Sequence, residues 1–246
     1  MLRLQNVTFT VPQNEKGGKN TILDDVTLDI EDGSYVVVTG PNGGGKTTLA
    51  KVIMGLVKPD SGRIILDGMD ISALDVTARS EVGISYGFQQ PPRFKGITVR
   101  DLLSIAARKK LKKEDACHLL TKVGLCATEY INREVDSSLS GGEVKRIEIA
   151  TVLARGAKIM IFDEPEAGID LWSFARLTET FEQIHQQHTA TMIIISHQER
   201  IISLADEIIV VGGGELMHRG TNEEIFPLIM ADTLGSCPVM KKEAKA

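Results

Sequence analysis

The stretch 36-VVVTGPNGGGKTTLAKVIMG-55 constrains this chain more than any other. Its first part, within 34-SYVVVTG-40, is β-branched and nearly all apolar, which suits a strand buried on both faces. A helix follows from about Lys46 to Met54, closed by Gly55. The loop between them fits G-x-x-x-x-G-K-[ST], from Gly40 through Pro41, Asn42, Gly43, Gly44 and Gly45 to Lys46 and Thr47. Gly43, Gly44 and Gly45 let the backbone curl so that consecutive N–H groups point at phosphate oxygens. Lys46 adds a point charge toward the β- and γ-phosphates, Thr47 offers a hydroxyl to Mg²⁺, and Thr48 supports the α- or β-phosphate.

Two more buried-strand patterns follow, 158-KIMIFDEP-165 and 191-TMIIISH-197, each leading into a helix, over about 172–187 and through about Leu204. Strand–helix alternation implies an α/β fold with a parallel sheet covered on both faces. The alternating segments 2-LRLQNVTFTV-11 and 21-TILDDVTLDI-30, on either side of the polar turn 12-PQNEKGGKN-20, suggest a small antiparallel sheet beside it. Hairpins are expected around Asp67-Gly68 and within 207-EIIVVGGGELMHRG-220. Residues 98–124 read as helices, with a capping box at Thr98 and Asp101 and a stop at Gly124. The helical block 98–150 interrupts the alternation and reads as a separate subdomain; the tail 239–246 reads as frayed.

Composition excludes several classes. Aromatics are 4%, too few for base-stacking platforms, and the formal charge of −5 argues against a phosphate-backbone binder, so no nucleic-acid partner is expected. The most apolar runs are strand-length, so no direct membrane insertion is expected. Cys117, Cys126 and Cys237 are too scattered for a disulfide framework or a zinc site, which suits a cytoplasmic protein with reduced thiols.

Carboxylates Asp163 and Glu164 end a strand pattern, where α/β sheets bind ligands. Asp163 can hold Mg²⁺ through its water shell, and Glu164 is placed to polarise an attacking water. His197 ends the next strand pattern and suits a contact to the γ-phosphate or that water. Gln89 in 86-YGFQQPP-92 could coordinate Mg²⁺ or the water, with Gln90 the competing choice. Finally, 139-LSGGEVKRIEIA-150 places Ser140, Gly141, Gly142 and Glu143 ahead of a helix, a second anion cradle. Lys145, Arg146 and Glu148 read as a solvated helix face with local ion pairs.

These pieces in this order resemble the ATP-binding cassette (ABC) ATPases over almost the whole chain. The resemblance makes 40-GPNGGGKT-47 Walker A, Gln89 the Q-loop glutamine, and 139-LSGGE-143 the signature. Walker B is 159-IMIFDE-164, with Glu164 the catalytic carboxylate; the D-loop is 167-AGID-170, with Asp170, and His197 is the switch histidine. It implies one ABC ATPase domain over 1–246, its catalytic core and β subdomain over about 1–88 and 151–225, its helical subdomain over about 90–150. It further implies ATP and Mg²⁺ as cofactors, and head-to-tail pairing with a second copy in the ATP-bound state. The signature of one chain then faces the nucleotide of the other, and the free chain is monomeric without ATP. The aromatic residue usual near the end of the first strand is replaced by Val11, with Phe9 two residues earlier.

Within the family, SGGE-x-KR-x-E-I, the upstream Asn132-Arg133, Gly-Ile-Asp in the D-loop and 196-SHQERII-202 resemble the SufC-type ATPase of iron–sulfur cluster assembly. That implies a soluble SufB-type scaffold as partner, with a SufD-type one as the alternative. It would dock on 89-QQPPRFKG-96, with Phe94 either an exposed anchor between Arg93 and Lys95 or packed into the helical subdomain. Leu139 and Ser137-Ser138 depart from the usual SufC approach to the signature. The alternative is the ATPase subunit of an ABC membrane transporter.

Overall fold

The computed structural model describes residues 1–12 and 18–235, with side chains through 229. Cys237, the expected tail 239–246 and most of the turn after Pro12 lie outside the described residues. The chain opens with β1 (Leu2–Pro12) and β2 (Lys19–Ile30), then β3 (Tyr35–Thr39), α1 (Lys46–Met54), β4 (Ser61–Leu66) and β5 (Met69–Asp70). Next come α2 (Val76–Glu81), β6 (Ile84–Gly87), β7 (Phe94–Thr98), α3 (Val99–Ala106), α4 (Lys113–Lys122) and α5 (Ala127–Tyr130). They are followed by β8 (Glu134–Val135), α6 (Gly141–Arg155), β9 (Ile159–Asp163), α7 (Leu171–Gln186) and β10 (Thr191–Ile195). The described chain ends with α8 (Glu199–Ile202), β11 (Glu207–Gly212), β12 (Glu215–Gly220) and α9 (Asn222–Gly235).

Six strands form the central sheet in the order β12-β11-β3-β10-β9-β6. All neighbours from β11 to β6 pair in parallel, and β12 pairs antiparallel with β11 at the edge. The parallel part is why β3, β9 and β10 are buried throughout and mostly apolar. Successive residues of β3 enter opposite cores. Val36 and Val38 face the second, antiparallel sheet (β2-β1-β4-β5) and α1, where Leu4, Leu28, Leu49 and Ile53 are also buried. Tyr35 and Val37 join the other cluster, with Ile147 of α6 and Leu177 and Phe181 of α7. The helical block therefore shares one continuous core with a face of the parallel sheet.

Both expected hairpins form. Asp67 (φ 51) and Gly68 (φ 82) take the left-handed conformations that a two-residue turn of this hand requires. Gly55 ends α1 in the left-handed region, and after α4 the Leu125 N–H returns to Leu120 O at 2.9 Å behind Gly124. Other elements were not legible. The two-stranded pairing of β7 with β8 lies inside the block expected to be helical, and the helix after His197 is only α8. Among the described residues no helix is long and apolar enough to cross a membrane.

Candidate functional site

Three neighbouring parallel strands deliver the candidate residues to one edge of the sheet. Gln89 lies just beyond β6, Asp163 and Glu164 end β9, and His197 follows β10. β3, on the far side of β10, delivers the glycine loop. Ile195 is in register with Asp163 and with Val38, so the strand ends finish level.

The loop residues Gly40–Gly45 lead directly into α1. No side chain caps that helix, and its first turn carries no acidic residue, so its N-terminal N–H groups face an anion without competition. Gly45 has φ 107, and a Cβ there would stand 2.7 Å from Ile22 O of β2. The antiparallel sheet thus presses the loop into shape. Lys46 Nζ donates to Gly40 O (2.8 Å) and Pro41 O (3.0 Å), which arches the side chain over the loop. Burial pushes the Lys46 ammonium pKa down, against the pull of Glu164 and Asp163. Thr48 sits half-buried one residue beyond Thr47, in the first turn of α1.

Asp163 is buried. Its Oδ1 accepts from Thr47 Oγ1 at 3.1 Å and its Oδ2 from the Tyr86 hydroxyl at 2.9 Å. Burial raises its pKa, and these two hydrogen bonds oppose that. Among the described residues no cluster of three His, Cys, Asp or Glu side chains could hold a metal. A hydroxyl beside one carboxylate nevertheless fits Mg²⁺, which takes few protein oxygens and completes its shell with water and substrate phosphate. Thr47 and Asp163 would hold it. Tyr86 was missed by sequence reading; its place in β6, three residues before Gln89, gave no sign that it would reach across to β9.

Glu164 has a left-handed backbone (φ 47), unusual for a residue with a side chain, and its N–H donates to Ile195 O at 3.0 Å. Gln89 Nε2 donates to Glu164 Oε2 at 2.8 Å, so Gln89 rather than Gln90 reaches this carboxylate. His197 Nδ1 lies 3.2 Å from Thr39 Oγ1 on the β3 side, and burial with the Lys46 charge lowers its pKa. A carboxylate in reach of a glutamine, with a histidine on the adjoining strand end, can orient a water and accept its proton.

Ser140 to Glu143 form a full capping box. Glu143 N donates to Ser140 Oγ (3.3 Å) and Ser140 N to Glu143 Oε2 (2.6 Å). The helix begins earlier than expected: Gly141 and Gly142 are its first two residues, not a turn before it. A Cβ on Gly142 would stand 2.5 Å from Gly168 O, so close packing of the 167–170 loop demands glycine there. Asp170 caps α7 by accepting from Ser173 N at 2.9 Å.

One expectation fails. Lys145 and Glu148 are not a solvated face; they are 2% and 8% exposed, and Arg146 is half-buried, donating to Ser173 Oγ at 2.6 Å. This stretch of α6 packs between β6 and β9 of the sheet and helices α3 and α4, so its polar side chains must find partners inside. Of the two readings of Phe94, the packed one holds. The residue packs partly buried against the core, and Arg93 is spent on Asp136 O (2.6 Å) and Leu139 O (3.0 Å). The exposed aromatic beside Gln89 is Phe88.

A family model described as ABC transporter matches residues 23–167, more than half of the chain and all of the loop, carboxylate and capping-box segments above. The chain belongs to the ABC transporter ATPase family. Like other ABC ATPases it hydrolyses ATP, with ATP and Mg²⁺ as cofactors. It is 36% identical over 216 residues to an uncharacterised ABC transporter ATP-binding protein of Methanocaldococcus jannaschii, covering 85% of this chain and 86% of the relative. It is 31% identical to the lipopolysaccharide export system ATP-binding protein of Haemophilus influenzae, covering 83% of this chain and 86% of the relative. Its ABC fold matches a dimeric ATP-binding cassette solved with ADP and Pi, at a TM-score of 0.81 and 24% identity, over 90% of this chain and 99% of that one.

Proposed function

We propose that this chain is the ATP-hydrolysing motor of a two-copy ABC assembly, and that the partner it drives is membrane-embedded. The observation that carries the chemistry is the convergence of Lys46, Thr47, Asp163, Gln89, Glu164 and His197 at one sheet edge. In this reading Gly40–Thr48 cradle the phosphates and Lys46 turns from the loop carbonyls to the β- and γ-phosphates. Mg²⁺ beside Thr47 and Asp163 supplies positive charge against the developing phosphate charge. Glu164 takes the proton of the attacking water, Gln89 holds that carboxylate and the water, and His197 contacts the γ-phosphate. The signature Ser140–Glu143 and the loop ending at Asp170 serve the nucleotide of a second copy, closing head to tail.

The printed role of the Haemophilus influenzae relative, an export system, and the transporter description of the family support a transport complex. The partner then docks over the groove of about 370 Å³ beside Phe88, lined by Leu56, Val76, Tyr86 and Arg155. The SufC-type reading with a SufB-type scaffold draws no support from the relatives' names. It rests on the sequence resemblance at 140–149, 168–170 and 196–202. Capture of the tagged chain from a native extract, with and without detergent, separates the two. An integral membrane protein recovered with detergent is the expected result. A stable complex with a scaffold protein in detergent-free buffer would overturn it.

A further inference from the structure

The signature helix does more than present its N-terminus. Lys145 and Glu148 stand one turn apart on α6, both buried, with their charged atoms 3.5 Å apart. Together they take both backbone groups of Phe88. Lys145 Nζ donates to Phe88 O, and Phe88 N donates to Glu148 Oε1 at 2.8 Å. Lys145 Nζ also donates to Asp163 O at 3.2 Å. Phe88 is the residue before Gln89, and Asp163 the residue before Glu164. The same segment is tied down a second time, where Arg93 donates to the carbonyls of Asp136 and of Leu139, the first residue of the signature.

Burying a lysine and a glutamate costs several kcal/mol per ion, and a well-packed apolar pair of similar volume is commonly as stable or more so. Stability is therefore a poor reason for this pair. Its geometry supplies a better one, because both hydrogen-bonded backbone sites lie immediately before the two residues that touch each other at 2.8 Å.

We infer that Lys145 and Glu148 are positioning residues for hydrolysis: by clamping Phe88 they hold Gln89 against Glu164, and so link the signature helix to the hydrolytic carboxylate of the same chain. This rests on the reading that Gln89 and Glu164 serve hydrolysis.

A double-mutant cycle with Gln89→Ala tests it. The apolar pair Lys145→Met with Glu148→Leu is measured for thermal midpoint, ATP affinity by equilibrium dialysis, kcat and KM. The midpoint and the affinity stay close to parental, while kcat falls by about tenfold to a hundredfold, the range for losing alignment at a distance. In the Gln89→Ala background the same pair costs less than about twofold, because the two changes act through one contact. Glu148→Gln, which keeps an acceptor for the Phe88 N–H, retains most of the parental kcat. Should the apolar pair not fold, Glu148→Ala is carried through the same cycle with the same expected non-additivity. An unchanged kcat, or losses that simply multiply with that of Gln89→Ala, overturns the inference and leaves the site assignment standing. A Gln89→Ala variant with parental kcat removes the site assignment and the inference together.

Discussion

Glu164 holds a left-handed backbone at the end of a buried strand, with its carboxylate against Gln89. Such strain persists where surrounding structure over-determines it, and here β10 supplies the hydrogen bond that fixes the turn. Glu164→Gln is expected to bind ATP normally and to hydrolyse it about a hundredfold or more slowly, the range for losing a general base. Single-turnover assays with Mg-ATP check this; parental turnover would put the base elsewhere. Tyr86 acts one step removed. Its hydroxyl occupies the Asp163 oxygen that Thr47 does not. Tyr86→Phe is expected to weaken Mg²⁺ by about tenfold, as for other residues that orient a ligand. Titrating ATPase activity against Mg²⁺ reads this as a shifted midpoint, and an unshifted curve would make Tyr86 mere packing.

On the scale of elements, α6 is a helix whose N-terminus is over-specified. Ser140 and Glu143 cap each other, Tyr130 donates its hydroxyl to the Glu143 carboxylate, and Arg133 lies 4.0 Å from it. The Tyr130 hydrogen bond, followed by those from Ser140, holds the Glu143 pKa down at about 2. A depressed carboxyl stabilises the fold above its ordinary pKa of 4.5, and that contribution is lost as pH falls from there toward 2. Glu143→Gln keeps the cap and removes the charge. Its urea midpoint is expected below parental at pH 7, with a gap that narrows steadily below about pH 4.5. A gap independent of pH would show that the charge contributes nothing. By contrast, α1 has no side-chain cap at all. At α6 the side chains of Ser140 and Glu143 take two of the N-terminal N–H groups, whereas at α1 no side chain competes for any of them.

For the whole molecule, the loop at 40–45 and the signature at 140–143 serve different nucleotides in the proposed pairing. Ser140→Arg should leave ATP binding to the single chain intact and block turnover. Lys46→Ala should lose ATP binding, since its ammonium is the cation arched over the phosphate loop. Mixing the two inactive variants should restore activity, because a mixed pair contains one intact loop facing one intact signature. No recovery at any mixing ratio would sink the head-to-tail arrangement. Leu171 and Trp172 at the start of α7 are 74% and 85% exposed, beside the Asp170 loop. Trp172 is the chain's single tryptophan. Its emission in Glu164→Gln should shift to shorter wavelength with Mg-ATP, in proportion to protein concentration, if pairing covers this end of the helix. An unshifted spectrum in a pair confirmed by size-exclusion chromatography would place α7 outside the contact.

What the sequence determined by itself was local: glycines at fixed spacing before Lys46 and Thr47, carboxylates at the end of a β-branched run, Thr98 three residues before Asp101. Each of these writes its geometry within a turn or a strand, where backbone stereochemistry and hydrogen bonding act over a few residues. The parallel sheet and the hairpins followed from the same short-range patterns. The strand order was not written there, and it is the order that puts β6, β9 and β10 side by side and brings Gln89 to Glu164. Nor could the pattern show that Tyr86 reaches Asp163, or that Lys145 and Glu148 turn inward to hold Phe88. Charged residues on a helix look solvated until the neighbours are known. Burial of a charge depends on partners distant in sequence, and only the tertiary structure supplies them.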